Sequence, residues 1–153
     1  MSLFIATGSN IGDRKFHLDE AKKYLSKRLV FIAESRIYES LAVDYLNQPD
    51  FYNQVLEYEI PKDPPESIMD FLLEIEATMG RNRLIAKGPR VIDLDMIFWA
   101  DLNNSTDKLI LPHPRLFERS FVVLPLSELP GFKKLEKTFS FKFTFDNTAS
   151  PIS

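Results

Sequence analysis

A chain of 153 residues with 44% apolar content and 13 Phe is long enough for one packed core, and the lack of Cys excludes disulfides and thiolate metal sites. A formal charge of -3 gives no support for a general nucleic-acid or membrane-surface binder, so small molecules are the expected partners. The opening "MSLFIATGSN" has no basic region, and no stretch is long enough to span a bilayer, so the expectation is one domain over residues 1–153, a cytoplasmic monomer.

In chain order, "SLFIATGSN" reads as a strand running into a loop at Gly8. After Asp13, the recurrence of Leu18, Ala21, Leu25 and Leu29 predicts a helix with one apolar face. "LVFIAESRIYES" and "FYNQVLEYEI" are rich in β-branched and aromatic residues and predict two strands, joined by the long polar loop "LAVDYLNQPD". "DPPESIMDFLLEIEATMG" predicts a second helix, with Asp63 as its cap, Pro64 in its first turn, Glu66 just inside and Gly80 as its stop. Its stripe is Ile68, Phe71, Leu72, Ile75 and Met79. The loop "RNRLIAKGP" leads into another strand, "VIDLDMIFW". Beyond it, "LILPHPRLFERSFVVLPLSEL" reads as a loop, a turn of helix and an apolar segment. Phe139, Phe141, Phe143 and Phe145 alternate with polar residues, which predicts a terminal amphipathic strand. The order strand, helix, strand, strand, helix, strand predicts an α+β, ferredoxin-like βαββαβ sandwich: an antiparallel sheet with helices on one face, plus extra C-terminal elements.

The chemistry concentrates in "KGPRVIDLDMIFW". Alternation along a strand puts Asp93 and Asp95 on one face and Ile92, Leu94, Met96 and Phe98 on the other. Two like charges side by side call for a cation. One reading is structural, with each carboxylate paired to an arginine such as Arg90 or Arg119. The other is Mg²⁺, which accepts one or two carboxylates and completes its shell with water and phosphate oxygens. Arg81, Arg83, Lys87 and Arg90 upstream and Arg115 and Arg119 downstream supply the guanidinium density that suits phosphate, and favour a metal–nucleotide site. His113, between two prolines, is either a turn residue with a satisfied ring or a phosphate donor. "GSNIG" has neither the Walker nor the dinucleotide pattern, so nucleotide binding is not inferred from it. Asn53 is unusual inside a strand. It is either an edge residue or a donor and acceptor for a heterocycle, with Phe51 and Phe121 as core residues or as stacking faces.

"GPRVIDLDMIFW" followed by "LPHPRLFERSFVVLPLSEL", with "ATGSNIGDR" at the start and "QPDFYNQVLEYE" between, resembles the 6-hydroxymethyl-7,8-dihydropterin pyrophosphokinases of folate biosynthesis over Leu3 to about Leu129. The resemblance implies Mg²⁺-dependent transfer of pyrophosphate from ATP to the pterin hydroxymethyl group, leaving AMP. It implies that Asp93 and Asp95 hold two Mg²⁺, that Arg81, Arg83, Arg90, His113 and Arg119 contact ATP or close over it, and that Glu76 and Met96 lie on the nucleotide side. It further implies a pterin pocket of Asn53, Phe51 and Phe121, completed near Ser40, Leu41 and Val43, under a lid formed by residues 81–89. Ala86 and Lys87 depart from the basic and aromatic residues usual at their positions, and "SLAVDYLN" replaces the usual proline-containing run. A non-catalytic pterin- or nucleotide-binding homologue is the alternative function. An RNA-binding module of the same strand–helix order is disfavoured by the acidic charge and the lack of an aromatic-glycine signature.

Overall fold

The computed structural model describes residues 1–41, 48–80 and 90–152. In chain order its elements are β1 (Ser2–Ser9), α1 (Arg14–Leu25), β2 (Phe31–Glu34), β3 (Tyr38–Ser40), β4 (Phe51–Glu59), α2 (Pro65–Thr78) and β5 (Asp93–Trp99). There follow the short strands β6 (Asn104–Ser105) and β7 (Ile110–Leu111), a 3-10 turn at Leu116–Glu118, α3 (Ser120–Leu126), α4 (Phe132–Thr138) and β8 (Ala149–Pro151). The main sheet runs β5-β1-β4-β3-β8, with β2 also paired to β4, and every pairing in it is antiparallel. With β2 and β3 counted as one interrupted strand, this is the ferredoxin-like order that the sequence predicts.

The helices start and stop for local reasons. Asp13 Oδ1 accepts the Phe16 N–H at 3.0 Å and so caps α1, whose Leu18, Ala21 and Leu25 face the sheet. At α2 the expected cap is corrected. Pro64 occupies the cap position without a side-chain bond, Pro65 begins the helix, and Asp63 instead pairs with Arg28 Nη2 at 2.6 Å. Proline at the cap position has no side-chain acceptor, and the Ser67 N–H donates to Pro64 O at 3.0 Å instead. Gly80, at φ +88°, ends the segment in the left-handed region that glycine enters without cost.

The helices α1 and α2 share one face of the sheet as expected, and the extra C-terminal helices cover the other. Leu3, Ile5, Leu56, Tyr58, Leu94 and Met96 pack with α1 and α2, whereas Phe4, Val55, Ile97 and Phe98 pack with α3 and α4. The central strand β1 is buried on both sides, so it requires apolar cover on each. Phe98 departs from the predicted alternation. The register slips between Phe4 and Ile5, which oppose Phe98 and Met96 respectively, so Ile97 is an extra residue and Phe98 shares the face of the aspartates.

Two further strand expectations are corrected. "LVFIAESRIYES" divides into β2 and β3 because Ser35 Oγ accepts the Val55 N–H at 3.0 Å and donates to Arg36 O at 2.8 Å, a side-chain bond that displaces the ladder. The alternating phenylalanines form no strand. Phe139 packs on Phe98 with ring centroids 5.0 Å apart, and Phe141 packs on Phe132 at 4.8 Å. Ring packing holds that stretch in place of backbone pairing, which resumes only at β8.

Gly131 joins the α4 layer to the sheet. Its N–H donates to Glu57 Oε1 at 3.1 Å, while Ser2 Oγ donates to Glu57 Oε2 at 2.6 Å. A Cβ on Gly131 would lie 2.8 Å from Phe4 Cζ and 3.1 Å from Glu57 Cδ, and both residues are buried. Gly131→Ala is expected to lower stability by about 1–3 kcal/mol through overpacking. An unchanged denaturation midpoint would show that Phe4 and Glu57 move aside freely.

Candidate active site

Strand register places the key side chains. Gly8 of β1 opposes Asn53 of β4 on one side and Asp93 of β5 on the other, and in the next row of that face Ala6 opposes Val55 and Asp95. Directly opposed residues share a face. Two small residues on the central strand therefore separate Asn53 from the aspartates and leave a hollow between them. A Cβ at Gly8 would stand 3.5 Å from Asn53 Oδ1 and 3.6 Å from the Phe51 ring, occupying the floor of that hollow.

The resulting cleft has a volume of about 260 Å³. Its walls are Ser40, Leu41, Gln48, Phe51 and Asn53 on one side and Arg90, Asp93 and Asp95 on the other, while His113, Arg115, Arg119, Phe121 and Val122 approach from the layer above the sheet. Asn53 Nδ2 donates to Ser40 Oγ at 2.8 Å and to Tyr38 O at 3.2 Å, which fixes the amide and leaves Oδ1 as the acceptor beside Gly8. The guanidinium of Arg119 lies 5.8 Å from the centre of the Phe121 ring, and that of Arg90 lies 5.6 Å from Phe51.

Of the two readings of the aspartate pair, a contact of the arginine kind is present. Arg90 Nη1 approaches Asp93 Oδ2 at 3.5 Å, one long contact rather than a bidentate clamp. Among the described residues no group of three or more His, Cys, Asp or Glu side chains could hold a metal ion. Two carboxylates suit a hard cation that takes the rest of its shell from water and phosphate.

His113 is held by its backbone, whose N–H donates to Ile97 O at 3.2 Å, and by Nδ1, which accepts the Arg115 N–H at 3.4 Å. An accepting Nδ1 leaves the proton of the neutral ring on Nε2. Burial, then Arg119 and Arg115, hold the imidazole below its ordinary range, against an opposing pull from Asp93. The folded protein thus binds fewer protons at this site than the unfolded chain. Stability is present above the unfolded value of 6.5 and is lost as pH falls below it towards the lower folded value. In His113→Gln, the fall in thermal midpoint between about pH 7.5 and about pH 5.5 should be smaller than in the parent. Equal slopes would show that His113 does not titrate on unfolding.

Glu76 and Met96 do not line the cleft. Both are buried, Met96 among the α1/α2 core residues and Glu76 on α2, where its Oε2 accepts the Leu94 N–H at 2.8 Å. Glu76 thus braces the strand between the two aspartates from behind. Val43, Arg81, Arg83, Ala86 and Lys87 lie outside the described residues.

Asn10 is a residue that sequence reasoning missed. It is buried, donates its N–H to Arg90 O at 3.0 Å and accepts the Arg90 N–H on Oδ1 at 2.7 Å. Its Nδ2 donates to Gln48 Oε1 at 2.7 Å and Pro49 O at 3.0 Å. One side chain therefore fixes Arg90 and the rim at Gln48. The available signal was an amide directly after the strand end in "TGSN", the kind of residue that bonds to neighbouring backbone.

Fold and cleft together define a ferredoxin-like α+β protein with its acidic, guanidinium and amide groups gathered at one end of the sheet. The family model described as 7,8-dihydro-6-hydroxymethylpterin-pyrophosphokinase (HPPK) matches residues 4–131, and the chain belongs to that family. It is 39% identical over 128 residues to the 2-amino-4-hydroxy-6-hydroxymethyldihydropteridine pyrophosphokinase of Bacillus subtilis, covering 82% of this chain and 76% of that one. It is 36% identical over 152 residues to the bifunctional protein FolKE of Lactococcus lactis, covering 98% of this chain and 42% of the relative. A crystal structure of HPPK-DHPS in complex with substrates shares the fold, with a TM-score of 0.64 at 15% identity over 93% of this chain and 42% of that one. The chain spans less than half the length of several curated relatives it matches, down to 18% of a folic acid synthesis protein of Pneumocystis carinii. Among the described residues no helix is long and apolar enough to cross a membrane.

Proposed function

We propose that this protein transfers pyrophosphate from ATP to the hydroxymethyl group of 6-hydroxymethyl-7,8-dihydropterin in folate biosynthesis. The observation that carries the reading is the pairing of a fixed Asn53 amide with two carboxylates across Gly8 and Ala6 in one cleft. A flat heterocycle with donors and acceptors on its edge fits the first wall. A metal-bound polyphosphate fits the second.

The hydroxymethyl oxygen attacks the β-phosphorus of ATP and releases its proton to solvent, the bond from the β-phosphorus to the α–β bridging oxygen breaks, and AMP departs with that oxygen. Asn53 Oδ1 receives an N–H of the pterin edge, and Phe51 and Phe121 enclose the ring. Asp93 and Asp95 would hold Mg²⁺, two ions on this reading, which when bound neutralises phosphate charge and aligns attacking and leaving oxygens. Arg90 and Arg119 take phosphate oxygens, and neutral His113 donates from Nε2. Arg81 and Arg83 would add phosphate contacts on the same reading. Glu76 and Met96 serve the nucleotide side indirectly, through the position of β5. The lack of Cys fits a cytoplasmic setting.

Chelation tests the metal requirement. Excess EDTA should abolish AMP formation, and added Mg²⁺ should restore it. Turnover that survives EDTA would remove the metal role from the aspartates.

A further inference from the structure

We infer that the C-terminal tail, beyond the residues the family model matches, positions the substrate groups of the cleft, with Asn147 as the positioning residue for Arg119 and Phe121. The family match stops at residue 131, yet the chain continues for another turn of fold. Helix α3 needs help at its start. Arg119 occupies its cap position and gives no side-chain bond.

The missing cap arrives from 27 residues downstream. Asn147 Oδ1 accepts the Ser120 N–H at 2.8 Å and the Ser120 hydroxyl at 2.5 Å. Asn147 Nδ2 donates to Glu118 O at 2.8 Å. These bonds straddle Arg119, so one amide pins both the extended link that carries Arg119 and the first turn of α3 that carries Phe121, two residues that line the cleft. An orphan helix N–H and an orphan carbonyl are satisfied together.

The same tail grips the opposite wall. Ala149, two residues on, pairs with Ser40, whose Oγ accepts from Asn53, and the Ile152 N–H donates to Ile37 O at 3.0 Å. Upstream, Phe139 and Phe141 anchor the tail on Phe98, Phe117 and Phe132. One segment thus ties the guanidinium and aromatic side of the cleft to its amide side. This inference rests on the proposed pyrophosphokinase reading for its kinetic consequence, but not for its structural one.

The test compares Asn147→Ala and Asn147→Asp with the parent by amide exchange over residues 116–123, thermal midpoint, equilibrium binding of Mg·ATP and steady-state kinetics. In Asn147→Ala, Ser120 should exchange about fivefold faster, the fold-change of one lost cap. KM for both substrates should rise about fivefold with kcat nearly kept, because the groups that hold substrate are loosened and the carboxylates are not. Asn147→Asp keeps the acceptor for Ser120 and places a negative charge at the helix start but gives up the donor to Glu118 O, so it should recover part of the protection and of KM. Unchanged exchange in Asn147→Ala, or faster exchange with KM and Mg·ATP affinity as in the parent, would overturn the inference. Equal damage in both variants would overturn it too. If the parent forms no AMP, the kinase reading fails alone, and exchange with Mg·ATP binding still decides the role of Asn147.

Discussion

Replacing Asp95 by Asn is expected to lower kcat at least about 10³-fold while the protein stays folded. The substitution keeps shape and removes charge. Asp95 is half-buried opposite Ala6 at the floor of the cleft, so an amide of the same size disturbs no packing. What it loses is the anion that, on the proposed reading, holds a hard cation beside Asp93. Mg²⁺ at such a site is bound by few protein ligands, so loss of one carboxylate removes a large share of its hold. Steady-state assays with saturating Mg²⁺ would measure the effect. A fall of less than about tenfold would show that the pair acts structurally, through contacts of the kind Arg90 makes with Asp93.

The second large effect is expected from Asn53→Leu, which should lower kcat/KM for the pterin about 100-fold and leave Mg·ATP affinity close to the parent value. Leu has the same number of branched heavy atoms as Asn but is bulkier and has no polar atoms. It removes the acceptor beside Gly8 and deprives Ser40 Oγ and Tyr38 O of their donor. A site built to hydrogen-bond a ring edge discriminates strongly when that bond is absent. The orphaned groups should also cost about 1–3 kcal/mol of stability. Separate titrations with the pterin and with Mg·ATP would divide the effects. Equal losses for both ligands would mean that Asn53 supports the cleft generally and does not read the pterin.

The fold was legible wherever one local rule acted alone. The strand with Asp93 and Asp95, the stripe of α2 and the stop at Gly80 follow from periodicity and backbone freedom, and the family motifs carried the resemblance that the family match bears out. Sequence failed where a distant partner decided the outcome. The bulge at Ile97 depends on β1 and turns Phe98 to the other face, which a count in twos along one strand does not show. Ser35 breaks its strand by bonding Val55, 20 residues away. The phenylalanine alternation resembled a strand because a ladder of rings and a ladder of peptides produce the same spacing. Helix α4 buries only Phe132 and Leu135, too few positions for a period to stand out.

At the site, residue types were readable and their supports were not. Asp93, Asp95, Asn53, Phe51, His113, Arg119 and Phe121 meet in one cleft as expected. Asn10, Glu76 and Asn147, which hold Arg90, β5 and α3, act through bonds spanning 80, 18 and 27 residues. Those separations lie beyond any motif.

The most direct test of the central claim is the identity of the nucleotide product when the purified protein meets ATP, Mg²⁺ and 6-hydroxymethyl-7,8-dihydropterin. Attack at the β-phosphorus predicts AMP and a diphosphorylated pterin in equal amounts, with no nucleotide product when the pterin is omitted. ADP in place of AMP, or no product from a folded protein that still binds the pterin, would contradict pyrophosphate transfer.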